Sequence, residues 1–373
     1  MNKSLCFLCL FAAAHSDLFA AERFEIFDAI IRDFAASNDV GAIMCAISRH
    51  GEILHEQAFG FSDLAKKKPL TIGTRFRIAS ISKPITAAAI KTLIRDGKLQ
   101  TEQRVMDFLP SPPWPMPADA RWHDITIRHL LEHRGGWDRA VFDPMFMDAR
   151  IRKETGAAPV KPDEVVRWAM AQPLQFDPGS KSVYANFGYC VLGRVIESVT
   201  KEPYLDFIQR TIAKPCGIKS WELSQTGALA TLPDEVWYDF ASEGEHFRIG
   251  LMDSHGGLIS TSADLCRFMH RYWLTGDPRD PKMKGAQAMF FGSLPGTTAI
   301  AVQRKDGLDY AVLLNKRSGT DAVKWHEVLQ KQLDASLETP DAAAISSHAD
   351  WAFAEGATFP TKTNSPTILI NFQ

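Results

Sequence analysis

The sequence predicts an α+β fold of the α/β sandwich type, with a central antiparallel sheet flanked by helices and an all-helical lobe inserted between its strands. Three observations lead there. Strand-prone runs gather at the two ends, near residues 41–60 and 285–315, and a helical stretch with long loops separates them. An isolated hairpin is marginal in water, so the two β-rich ends are expected to pair with each other. At 373 residues and 45% hydrophobic content, the chain is long enough to bury a full core. The sheet lobe is expected over about 21–79 plus 285–340 and the helical lobe over about 80–284, with a leader at 1–20 and a tail at 341–373.

Residues 24–37 place Phe24, Phe27, Ile30, Ile31 and Phe34 at helical spacing. Two β-prone runs follow, Gly41–Ser48 and Ile53–Gly60, joined by the hairpin turn Arg49-His50-Gly51-Glu52. From Phe76 the chain reads FRIAS and then turns helical through Ala87, Ala88, Ile90 and Leu93. Pro110–Pro117 is a proline-rich loop; Pro162–Met170, Phe187–Ser198 and Tyr204–Ile212 are helices, and Ser262 is the expected N-cap of a helix over Ala263–Tyr272. Gly285–Gly292, Thr298–Arg304 and Tyr310–Asn315 read as strands, with Asp306-Gly307 as the turn between the last two. An amphipathic helix over Asp321–Leu337 closes the domain, and the small, polar composition after Glu338 reads as a surface tail.

The first 20 residues carry a positive start at Lys3 and an apolar run from Leu5 to Ala14, of the length typical of a signal-peptide core. Export to the periplasm or cell surface is therefore expected. The run is about half of what a stable membrane span needs. Beyond it, Cys45, Cys190, Cys216 and Cys266 are widely and irregularly spaced, which indicates neither a zinc cluster nor a redox dithiol. A net charge of −2 with 23% charged residues argues against a nucleic-acid partner.

The chemistry concentrates at Ser80-Ile81-Ser82-Lys83, an S-x-x-K spacing at a strand-to-helix transition. Residues three apart on a helix share a face, so the hydroxyl and the amine can meet. A serine is a weak nucleophile until a base takes its proton, and a lysine serves only when burial or a neighbouring cation lowers its pKa. Pro84 fits only in a first helical turn, which places the motif at a helix start. Tyr184-Ala185-Asn186 precedes another helical run; the phenol offers a relay, and the amide can hold Lys83, the substrate or the helix end as N-cap.

Taken in order, FRIASISK, HLLEHRGGW, FDPGSKSVYANFGYCVLGRVIE, SHGGLISTSADLCRF and SLPGTTAIAVQRKDGLDYAVLLN resemble the pattern of class C β-lactamase-like serine hydrolases over roughly residues 24–335. That family includes D-alanyl-D-alanine carboxypeptidases, class C β-lactamases and related esterases. The resemblance implies a β-lactamase/transpeptidase-like fold and an acyl-enzyme formed on a small-molecule or peptide-like acyl substrate, with no cofactor and no metal. It makes Ser80 the nucleophile, Lys83 its proton acceptor, Tyr184 and Asn186 the Y-x-N pair, and the amides of Ser80 and Ser293 the oxyanion hole. One element departs. Where the family carries K-T-G or H-x-G, this chain has Phe290-Phe291-Gly292, which keeps the glycine for close backbone approach and lacks the cation or imidazole. That shifts weight towards a neutral acyl substrate, as in an esterase, or towards a weakened enzyme or binding protein on the same fold. His255, in a loop, is the candidate substitute, and Trp137 and Tyr238 are placed along the groove by their loop positions.

A rival reading is His129-Leu130-Leu131-Glu132-His133, a match to the H-x-x-E-H signature of a zinc peptidase. It requires both imidazoles on one helical face with Glu132 as base. Arg134-Gly135-Gly136 breaks the helix at once, which argues against it. The oligomeric state is left open.

Overall fold

The computed structural model describes residues 23–109, 116–225, 232–240, 248–280, 287–318 and 324–338. The expected leader and tail, most of the Pro110–Pro117 loop, the first residues of the Gly285 strand and the start of the Asp321 helix lie outside them.

Helix α1 (residues 23–37) leads into β1 (Ala42–Arg49) and β2 (Glu52–Gly60), and the short β3 (Phe76–Arg77) runs through a tight turn at Ala79–Ile81 into α2 (Ser82–Arg95). The middle of the chain holds α3 (Ile127–Leu131), α4 (Asp148–Thr155), α5 (Pro162–Met170), α6 (Asn186–Thr200) and α7 (Tyr204–Ile208). After β4 (Glu222–Leu223) and β5 (Leu258–Ser260) come α8 (Ser262–Arg271), β6 (Ala288–Leu294), β7 (Thr297–Gln303), β8 (Leu308–Leu314) and α9 (Trp325–Leu337). Both ends of the chain build one antiparallel sheet in the order β2-β1-β8-β7-β6, and β3-β5-β4 form a small second one. Ala46 of β1 stands opposite Ala311 of β8, so the pairing expected of the two β-rich ends is present.

The central strands β1, β8 and β7 are buried along almost their whole length because both faces of the sheet are covered. Side chains alternate across a strand, and each set has its own core. Ile43, Cys45 and Ile47, with Ile300, Val302, Val312 and Leu314, pack on Phe27 and Ile31 of α1 and on Leu329 and Leu333 of α9. Ala42, Met44, Ala46, Ala299, Ala301 and Ala311 face the other way, into the larger core shared with the helical region. Alanines dominate that second face, which lets α8 and the turn before α2 approach the strands closely.

One local expectation changes. The N-cap of α8 is Thr261, whose hydroxyl accepts from the Asp264 amide at 3.1 Å. Ser262 lies inside the helix and donates to the Met44 carbonyl, which ties α8 to β1. Adjacent Thr261 and Ser262 both fit the capping pattern, and the hydroxyl that caps is the first of them. Among the described residues Cys45, Cys190, Cys216 and Cys266 are free thiols, all but Cys216 buried, and no helix there is long and apolar enough to cross a membrane.

Arg77 anchors the segment that delivers the S-x-x-K turn. It is buried, donates to Ser224 Oγ (2.8 Å) and the Gln225 carbonyl (2.7 Å), lies 3.8 Å from Glu235, and sits over the Tyr238 ring at 3.9 Å. Removing one partner of a buried pair leaves the other charge uncompensated, so Arg77→Ala is expected to cost about 3–5 kcal/mol. A denaturant melt checks this, and an unchanged midpoint would contradict it.

Candidate active site

The residues singled out by the sequence converge where the β3–α2 turn, the start of α6 and the 252–257 turn meet. Ala79 adopts φ 45°, a left-handed conformation that bends the chain sharply between β3 and α2. The next residue is Ser80. Its Oγ lies 2.7 Å from the Tyr184 hydroxyl and 3.1 Å from Lys83 Nζ. Lys83 is fully buried, and its amine also donates to Asn186 Oδ1 and the His255 carbonyl, both at 2.9 Å.

Burial pushes the Lys83 ammonium well below its ordinary pKa, the Arg139 charge adds to that, and Asp143 opposes it. A neutral amine has two N–H bonds and one lone pair. Two of the three neighbours are carbonyl oxygens, which can only accept. The lone pair is thereby left for the Ser80 hydroxyl. Tyr184 goes the other way: burial raises its phenol to about 12, against the smaller effects of the Ser80 hydrogen bond and Arg139. It is a neutral hydroxyl at physiological pH and can donate to Ser80 Oγ.

Asn186 does not serve as an N-cap. It opens α6, and its amide is split between Lys83 on one side and Asp143 on the other, where Nδ2 donates to Oδ2 at 3.3 Å. Asp143, which sequence reasoning missed, thus fixes which way the amide points. Its only sequence signal was an Asp-Pro pair starting a helical turn, and it does cap Met145 N at 3.0 Å. The 252–257 turn is held from beneath by a buried ion pair, Arg194 of α6 to Asp253 at 2.5 Å, while Asp253 also accepts from the Ser254 amide.

His255 reaches the site through its backbone. Its imidazole is buried, with Nε2 lacking a hydrogen-bond partner among the described residues, and burial drives it strongly towards the neutral form. It therefore offers no exposed cation in place of the missing one. Trp137 and Tyr238 are also not groove walls: Trp137 packs on Trp122 and Phe187, and the Tyr238 hydroxyl donates to Glu235 in the core.

Strand β6 forms the sheet edge beside the Ser80 turn, and edge strands carry amides with no partner in the sheet. Gly292 allows the approach. A Cβ there would come within 2.2 Å of the Ile78 carbonyl oxygen and 3.0 Å of Ser80 N. Ser293 follows, exposed. Phe290, opposite Ala301, shares the face of Gly292 and packs into the helical-side core. Phe291 faces the other side and stacks on His326 at 3.6 Å.

The zinc-peptidase reading fails on its helix. Helix α3 ends at Leu131 and His133 has φ 55°, so the two imidazoles do not share a helical face. His129 Nδ1 accepts from the Thr126 amide in a capping box, and Glu132 faces Arg134 and Arg128 at the surface. His133 instead lies against the Tyr184 and Tyr189 rings, at 4.7 and 5.1 Å, and its Nδ1 accepts from the Ala185 amide.

The beta-lactamase family model matches residues 27–332. Among curated relatives, the probable fimbrial assembly protein FimD, serogroup H1, of Dichelobacter nodosus is 30% identical over 60% of this chain and 55% of its own. Esterase EstB of Burkholderia gladioli is 32% identical over 64% and 61%. The chain thus spans less than two thirds of the length of these relatives. Among solved structures, D-amino acid amidase from Ochrobactrum anthropi SV3 complexed with L-phenylalanine superposes with a TM-score of 0.66 at 21% identity, over 85% of this chain and 97% of that one. At that identity the likeness concerns the fold.

Burial, the largest effect, lowers the His133 pKa to about 3 against the hydrogen bond from the Ala185 amide. His133 is therefore expected to stay neutral from pH 8 down to pH 5, with constant imidazole chemical shifts by NMR. A midpoint near the ordinary histidine value would refute the packing described for it.

Proposed function

The chain belongs to the beta-lactamase family, and from that premise and the geometry around Ser80 we propose that it is a serine hydrolase acting through an acyl-enzyme. One observation carries the reading: a single hydroxyl, Ser80 Oγ, lies within hydrogen-bond reach of a buried amine and a buried phenol at once. Lys83 takes the Ser80 proton on its lone pair as Oγ bonds to the substrate carbonyl carbon. The resulting oxyanion is met by the amides of Ser80 and Ser293, the first at the turn and the second on the β6 edge. As the tetrahedral adduct collapses, Tyr184 gives its proton to the leaving alcohol or amine and is resupplied from the Lys83 ammonium. Water then attacks the acyl carbon, passes a proton back through the same groups, and returns Ser80 as a hydroxyl.

The substrate class we favour is a small acyl ester or amide. Support comes from the names of the relatives, which include an esterase, and from Phe290, which puts an aromatic ring where a charge on the β6 edge would otherwise meet the substrate. Intact-mass measurement after exposure to p-nitrophenyl acetate and to a fluorescent penicillin tests the assignment. The wild type is expected to gain one acyl group and Ser80→Ala none; equal labelling of both removes Ser80 as nucleophile. An adduct that forms and never turns over identifies a binding protein on the same fold.

The buried amine also sets a pH dependence. Its pKa is depressed in the folded protein, so the reactive neutral form persists below the ordinary lysine range and is lost only as pH falls through the folded value. The acylation rate should rise along an acidic limb and level off well below pH 10.5, and Lys83→Arg should abolish it. A limb centred near the ordinary lysine pKa would contradict the role given to Lys83.

A further inference from the structure

The β6 edge brings no charge to the Ser80 side of the sheet, yet a cation stands over the site from the opposite lobe. Arg139 is exposed, in the segment between α3 and α4, and its guanidinium carbon lies 4.8 Å from the centre of the Tyr184 ring. The hydroxyl of that ring is 2.7 Å from Ser80 Oγ. Other arginines in this region have acidic partners: Arg121 with Asp119, Arg128 with Glu102, Arg150 with Glu154 and Arg152 with Asp148. Among the described residues no carboxylate lies within ion-pair distance of Arg139. Asp143, which feels its charge, is buried and engaged by Asn186 and the Met145 amide. With its guanidinium beside the Tyr184 ring and no acidic partner among the described residues, Arg139 has its N–H fork available for a planar carboxylate.

We propose that Arg139 is the anion anchor of this active site and binds a carboxylate carried on the leaving-group half of the acyl substrate. The inference rests on the reading of Ser80 as the acylated nucleophile. The side of the substrate follows from Tyr184, which donates towards the leaving group and carries Arg139 against its ring. Arg139 thus does from the helical side what a cation on the β6 edge would do from the sheet, and the site selects carboxylate-bearing alcohols or amines as leaving groups.

The test compares kcat/KM for para-acetoxybenzoate, whose leaving phenol carries a carboxylate, with that for its neutral methyl ester. Taking the ratio of the two cancels the intrinsic reactivity when variants are compared. Charged hydrogen bonds of this kind imply that Arg139→Ala lowers the anionic-to-neutral ratio about tenfold or more, chiefly through KM, with partial recovery in Arg139→Lys. Raising the ionic strength should erode the wild-type ratio, as it does for an exposed charge pair. A ratio that Arg139→Ala and Arg139→Gln leave unchanged, in protein whose Ser80 is still acylated, overturns the anchor. Absence of any Ser80 adduct in the wild type overturns the underlying reading instead.

Discussion

The site depends on one buried amine. A lysine with no exposed surface pays heavily for its charge, and the fold surrounds Lys83 with two carbonyl oxygens and a hydroxyl. Since carbonyls only accept, a neutral amine placed there has one orientation, with its lone pair towards Ser80. The reactivity assigned to Ser80 is therefore a consequence of where two acceptors lie, and each acceptor has its own support. The His255 carbonyl belongs to a turn fastened by the Arg194–Asp253 pair, and the Asn186 amide is oriented by Asp143.

The same burial separates the two protons of the site. It lowers the affinity of Lys83 for a proton and raises that of Tyr184, which favours a neutral amine beside a neutral phenol. His133 packs against Tyr184 as a neutral ring and adds no charge of its own. The histidine pair that mimics a metal motif is thus used for packing and capping.

The sheet supplies the second requirement, close approach of an edge to the serine turn. A β6 carrying any side chain at position 292 would collide with the Ile78 carbonyl, a backbone atom with no rotamer to escape into. Charge is less constrained than shape here, because a Coulombic contact can be made from any wall of a groove. That is why the β6 edge can carry Phe290 while a cation stands over the site from the segment before α4.

Much was legible in the linear order of residues. Strand runs at both ends, helical periodicity between them and the three-residue spacing of Ser80 and Lys83 pointed to the fold class and to a hydroxyl and an amine within reach of each other, because these depend on local periodicity and on one helical turn. The residue types of Tyr184 and Asn186 offered a relay and an amide for Lys83, and the resemblance supplied their meeting with Ser80 and Lys83 across about a hundred residues of chain. Asp143 and Arg139 carried no signal of their role: a lone acid before a proline and a lone arginine in a loop have ordinary local explanations. The imidazole of His255, the candidate substitute for the missing cation, is buried, and its carbonyl is the part that reaches Lys83. Sequence alone determined which groups the chain could bring to chemistry; the tertiary structure decided their protonation, because burial and the placement of carbonyls exist only once distant segments have packed.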